Sequence, residues 1–133
     1  MKLVDTNIVA YLLIEGDRTA QARQLYAADP DWRSDGFLFV EFANVIATYV
    51  RTKALTLDQG SGLMAEAERR VTLMPAQTGD HAAVLELAAT LGVSAYDARF
   101  IVLARSAGAR LVTEDAALRI AAPQWTQSLR EAL

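Results

Sequence analysis

The chain has 133 residues, 53% of them hydrophobic, and a formal net charge of −3, so a single domain with a substantial core is expected over residues 1–133. It has no cysteine, which excludes a disulfide framework and a zinc–thiolate site and fits a reducing compartment. The acidic balance gives no reason of its own to expect a polyanion partner, and the apolar runs are too short for a signal peptide or a membrane span. The expectation is a soluble, cytoplasmic protein with no membrane partner.

Leu3-Val4 reads as the end of a short buried strand. Asn7 to Ile14 carries Ile8, Tyr11 and Leu12 at helical spacing, and Gly16-Asp17 breaks it. Thr19 to Ala28 is a second helix, stopped by Asp29-Pro30. Trp32-Arg33-Ser34 reads as a short strand before the turn signal Asp35-Gly36. Phe37 to Arg51 is a strongly apolar helix, and Leu57 to Arg70 a more polar one weakened by Gly60 and Gly62. Val71 to Met74 is a strand ahead of Pro75. Asp80 to Leu91 is helical and stops at Gly92, and Val93 is read as a one- or two-residue bridge. Ala95 to Ala107 is helical and stops at Gly108; Arg110 to Val112 is a strand. Asp115 to Ala121 is a short helix before Pro123, and Trp125 to Leu133 closes the chain as a helix.

Short apolar strands alternating with helices predict an α/β sandwich, a parallel sheet covered on both faces. Ligands of such sheets bind beyond the carboxyl ends of the strands. Asp5 follows the first strand and Thr113 to Asp115 follow the strand at Arg110 to Val112, so both point into one crevice.

Four acids, Asp5, Glu41, Asp97 and Asp115, each have an ordinary structural explanation. Asp5 suits the N-cap of the helix it precedes, and Asp115 the N-cap of the short helix, with Thr113 as a rival. Glu41, Asn44, Thr48 and Arg51 form one polar stripe on an apolar helix, which reads as a solvated face. Ser94-x-x-Asp97 has the form of a capping box. Taken together the four have a second meaning. Two carboxylates about 4 Å apart repel by roughly 4 kcal/mol at an effective dielectric near 20, and a hard divalent cation turns that cost into a binding site. The eleven arginines against two lysines, Lys2 and Lys53, read as coding bias, yet Arg51, Arg69, Arg70 or Arg99 could rim an acidic pocket and meet phosphate.

Leu3-Val4-Asp5-Thr6-Asn7, Phe39-Val40-Glu41-Phe42-Ala43-Asn44-Val45, Ser94-Ala95-Tyr96-Asp97-Ala98 and Leu111-Val112-Thr113-Glu114-Asp115 together resemble the motifs of PIN-domain ribonucleases. The closer resemblance is to VapC-type toxins of bacterial toxin–antitoxin pairs, over essentially the full length. Four prescribed positions would all be acidic by chance on the order of a few times in ten thousand, given 16 acids in 133 positions. The resemblance implies a PIN-like α/β/α sandwich with a short-stranded central parallel sheet. It also implies a Mg²⁺-dependent endoribonuclease, with Mn²⁺ as a substitute. Asp5, Glu41 and Asp97 would be the main metal-ligating acids, Asp115 a fourth acting through water, and Thr6, Asn7, Ser94 and Thr113 would orient them. Glu114 leaves open which of two neighbouring acids faces the metal; Asp115 matches by position. The implied partners are an RNA substrate, a VapB-type antitoxin and a second copy in a homodimer. Tyr11, Leu12, Phe37 and Phe39 are either core or part of a groove that receives the antitoxin.

Three other classes fit less well. A receiver-type phosphoacceptor needs a lysine near a late strand end, and both lysines come early. A phosphatase with an Asp-x-Asp nucleophile has Asn7 where its second acid belongs. A catalytically inactive PIN-like module that holds RNA or protein is the remaining alternative. His81, the sole histidine, reads as structural or surface. Tyr96 could stack on a base but reads first as part of the crevice wall.

Overall fold

The computed structural model describes residues 1–75 and 80–133. Its elements run β1 (Lys2–Val4), α1 (Thr6–Leu13), α2 (Thr19–Ala28), β2 (Trp32–Asp35), α3 (Phe37–Arg51), α4 (Leu57–Arg70), β3 (Val71–Met74), α5 (Asp80–Leu91), α6 (Ala95–Ala107), β4 (Leu111–Val112), α7 (Ala116–Ala121), a 3₁₀ turn (Pro123–Trp125), β5 (Thr126–Gln127) and α8 (Leu129–Ala132). The five strands form one parallel sheet in the order β3-β2-β1-β4-β5. Leu3 and Val4 of β1 pair with Leu111 and Val112 of β4 on one side, and Lys2 and Leu3 pair with Trp32 and Arg33 of β2 on the other.

The central strands β1 and β4 are buried on both faces and apolar, Leu3, Val4, Leu111 and Val112 having no exposed surface, whereas β2 alternates between buried Trp32 and Ser34 and partly exposed Arg33 and Asp35. Helices α1 to α4 pack among themselves, with α8 against α2, while α5 and α6 pack together and α6 lies against β2 and β4. The result is the α/β/α sandwich the sequence implies. In α3 the buried residues are Leu38, Phe42 and Ile46, spaced by four. That apolar line enters the main core, where α3 packs against α4 and α1, while Glu41 and Asn44 lie off it.

Three sequence expectations need correction. Val93 forms no bridge; Gly92 stops α5 with a φ of 68° and the chain passes directly to the cap of α6. Trp125 to Leu133 is not one helix. Thr126-Gln127 adds an edge strand to β4, with the Thr113 N–H donating to the Gln127 carbonyl, and Ser128 and Glu131 form a capping box that starts the four-residue α8. Gly60 is a contact point more than a weakness. A Cβ there would lie 2.7 Å from Ile46 Cγ2, so its absence lets α4 approach α3. At Gly62, by contrast, a Cβ would meet nothing.

The strand order fixes where a ligand can enter. The chain leaves β1 for the α1–α4 layer and leaves β4 for α7, and β1 and β4 are neighbours. The two connections diverge and open a crevice at their carboxyl ends, the topological switch point of an open parallel sheet.

Candidate active site

Asp5, Glu41, Asp97 and Asp115 all line one cleft of about 510 Å³ at this edge, together with Thr6, Asn7, Phe37, Asn44 and Tyr96. Asp5 arrives directly from β1. It caps α1 by accepting the Ile8 N–H at 3.1 Å, so the capping role and the cleft position are one geometry. Asp115 arrives from β4 and caps α7, accepting the Leu118 N–H at 3.0 Å. Thr113 is therefore not the cap. It is fully buried, and its Oγ1 accepts the Asp115 N–H at 3.1 Å while its side chain hydrogen-bonds the Asp5 carboxylate. One hydroxyl thus ties two of the acids together.

Asp97 lies in the first turn of α6, whose N-cap Ser94 accepts the Asp97 N–H at 3.0 Å. Only this half of the expected capping box forms, which leaves the Asp97 carboxylate to face the cleft. Glu41 stands mid-helix. The Thr6 hydroxyl donates to its Oε1 at 2.6 Å, joining α1 to α3 across the cleft floor. The polar stripe of α3 is therefore divided. Glu41 and Asn44 line the cleft, whereas Arg51 donates to Thr48 at 3.2 Å on the exposed surface.

The electrostatics follow from this crowding. Burial is the main cause that pushes the Asp5 carboxyl up to about 6, and the nearby charges of Glu41 and Asp115 add to it against the Thr113 and Ile8 hydrogen bonds. Asp97 is also raised, first by partial burial and then by Asp115, with Ser94 opposing. Three of the acids sit at helix N-termini, where the aligned peptide dipoles favour negative charge.

Glu114 is engaged elsewhere. Its carboxylate accepts the Leu129 N–H at 2.7 Å and pairs with Arg18 at 2.5 Å, with Arg119 at 3.9 Å. It ties the β4 end to α8 and does not line the cleft. Nor do the four arginines proposed as a rim. Arg51 bonds Thr48, Arg69 and Arg70 both bind Glu66, and Arg99 donates to Asp35 at 2.9 Å. Among the described residues, no arginine or lysine lines the cleft. Leu12 is core, Tyr11 and Phe39 pack against the core, and of the proposed groove residues Phe37 alone lines the cleft. His81 lies apart, on α5 beside a smaller cavity.

The donor set consists of oxygen ligands on separate elements, which suits a hard cation such as Mg²⁺ or Mn²⁺. Among the described residues, no group of three or more Asp, Glu, His or Cys side chains lies close enough together to hold a metal ion as a ready-made cage. Such a cage is the habit of Ca²⁺ and structural Zn²⁺; Mg²⁺ keeps waters and takes one or two carboxylates plus substrate phosphate. The half-buried Asp5, whose carboxyl is pushed up most among the acids of the cleft, is the group that a cation would relieve most.

Sequence reasoning missed the support behind the cleft wall. Asp35 accepts both the Phe37 N–H at 2.7 Å and the Arg99 Nε–H at 2.9 Å, so the residue read as a turn signal locks the start of α3 to α6. The spacing Asp35-x-Phe37 was the available signal, since an aspartate two residues before a helix start commonly holds its backbone.

The PIN domain family model matches residues 2–122. The chain belongs to the PIN-domain family. In architecture this PIN domain is similar to the crystal structure of PAE2754 from Pyrobaculum aerophilum, with a TM-score of 0.78 and 19% identity over 98% of this chain and 91% of that one. It is also similar to VapBC2 from Rickettsia felis, solved bound to a DNA fragment from its promoter. There the TM-score is 0.68 and the identity 15%, over 96% and 97% of the two chains. No curated protein matches this PIN domain by sequence. Among the described residues no single helix is long and apolar enough to cross a membrane.

Proposed function

We propose that this PIN domain is a Mg²⁺- or Mn²⁺-dependent endoribonuclease and the toxin of a VapBC-type toxin–antitoxin pair, working in the cytoplasm as a homodimer. The observation that carries the reading is the meeting of Asp5, Glu41, Asp97 and Asp115, from four separate stretches of sequence, in one cleft at the sheet's switch point. Asp5, Glu41 and Asp97 would hold the cation, directly or through its coordinated waters, with Asp115 also reaching it through water. The bound cation would supply a more acidic coordinated water and neutralise charge on the phosphate undergoing attack.

The chain's own groups do the rest. Thr113 holds Asp5 and the Asp115 backbone in register, and Thr6 holds Glu41 against α1. Asn7 and Asn44 present amides to the cleft, where they can donate to phosphate or water. Ser94 fixes the first turn that carries Asp97. The likeness to Rickettsia felis VapBC2 supports a VapB-type antitoxin as partner.

The test joins metal binding to cleavage. Asp5→Asn keeps the α1 cap, since Asn caps as well as Asp. It should abolish Mn²⁺-dependent cleavage of total cellular RNA in a preparation free of contaminating nuclease. Full cleavage by a folded Asp5→Asn protein would refute the assignment. A second reading, an RNA- or protein-binding module without catalysis, is favoured by the open spacing of the acids. A wild type that binds RNA but neither metal nor cuts would select it.

A further inference from the structure

Tyr96 is 60% exposed although it lies beside an acid of the cleft. Its ring stacks on Phe37 with centroids 5.0 Å apart and planes 3° from parallel. Phe37 is itself fixed: Asp35 holds its N–H, and the Arg99 guanidinium lies 5.6 Å from its ring centroid. The exposed ring is therefore held flat in place before any ligand arrives, so little ordering entropy is lost when something stacks on it. The surroundings say what that ligand must gain. The cleft lining carries four carboxylates and, among the described residues, no cationic side chain. Phosphate attraction inside the cleft is therefore weak, and a nucleic acid must take its binding energy from contacts other than charge. Stacking on an aromatic face provides such energy for any base.

Resting on the ribonuclease reading, we propose that Tyr96, seated on Phe37, is the base-stacking residue of the cleft, receiving an unpaired nucleobase next to the acid cluster at Asp97. A base in a duplex cannot reach that face without leaving its stack. An apolar protein segment is the competing occupant, because Val40 beside it in the cleft is 61% exposed. Stacking separates the two: a base needs the π face, whereas an apolar segment needs only bulk.

The experiment uses the full chain in an Asp5→Asn background, where cleavage is absent. The probe is a mixed-sequence single-stranded RNA of roughly 12 nucleotides carrying 2-aminopurine. Tyr96→Ala should weaken binding by about ten-fold or more and remove the quenching of 2-aminopurine. Tyr96→Phe should restore both, and Tyr96→Leu neither. Annealing the probe to its complement should reduce affinity for the parent. Binding by Tyr96→Ala within about two-fold of the parent would overturn the proposal, as would Tyr96→Leu performing as well as Tyr96→Phe, the pattern of an apolar protein contact. A wild-type chain that binds no non-cleavable RNA with Mn²⁺ present refutes the ribonuclease reading as well; the loss of Tyr96 alone as a determinant leaves that reading standing.

Discussion

Asp5 carries two duties that pull in opposite directions. As an N-cap it wants to be ionised, and the Ile8 N–H and the helix dipole help it. As a half-buried member of an acidic group it is pushed up to about 6 by desolvation and its acidic neighbours. Its folded value lies above its unfolded one, so the folded state binds the proton more tightly. The metal-free protein should therefore gain stability as pH falls from about 6 toward 4, by at most roughly 3 kcal/mol from this group and less where solvent screens it. Urea unfolding in EDTA across that window checks the sign; a steady loss of stability on acidification would contradict it. Asp5→Asn and Asp97→Asn should melt no lower than wild type in EDTA, because each removes like-charge repulsion. Glu114 belongs to a different account. Glu114→Gln keeps an acceptor for the Leu129 N–H but weakens the Arg18 pair, so it should cost about 1–2 kcal/mol of stability. It should leave Mn²⁺ affinity as in wild type, and a calorimetric titration would show this. The sequence could not choose between Glu114 and Asp115, because the choice is made by Arg18 on the far side of the chain.

At the scale of elements, the helices were legible where local rules and tertiary packing agree. Thr56 and Gln59 form a reciprocal capping box at the start of α4, and Gly108, with a φ of 64°, ends α6 in the left-handed conformation that glycine adopts freely. Reading failed where tertiary contact overrode a local rule. The C-terminal segment looked helical, yet Thr126 is buried and pairs in register with Leu111; Ser128-x-x-Glu131 marked the later start of α8. Gly60 and Gly62 looked alike in sequence and differ in space. Gly60→Ala should lose roughly 1–2 kcal/mol, because its Cβ would press on the stiff β-branched Ile46. Gly62→Ala, with nothing near its Cβ, should gain up to about 1 kcal/mol from helix propensity. Chemical denaturation of the two variants side by side tests the difference; equal effects would deny the close α3–α4 approach.

For the whole molecule, the acids could be picked out from the sequence by family resemblance, and the strand-end rule expected Asp5 and Asp115 in one crevice, but the meeting of all four could not be derived from it. It depends on β4 crossing back to lie beside β1, and no local signal encodes that strand order. The sheet then places α1 and α7, which start at opposite ends of the chain, with their capping acids at one crevice. The same arrangement makes the cleft repulsive to phosphate, so on the proposed function a cation must neutralise it first and metal and substrate binding should be coupled. Protons compete with the cation for Asp5, and Mn²⁺ affinity should fall as pH drops below about 6.

The most direct test of the central claim is a calorimetric titration of Mn²⁺ into the metal-free protein at neutral pH, with Asp5→Asn measured beside it. Saturable binding by wild type that the folded variant loses is the predicted result. Unchanged binding by Asp5→Asn, or none by wild type even with a non-cleavable RNA supplying the phosphate, would contradict a metal centre built from these four acids.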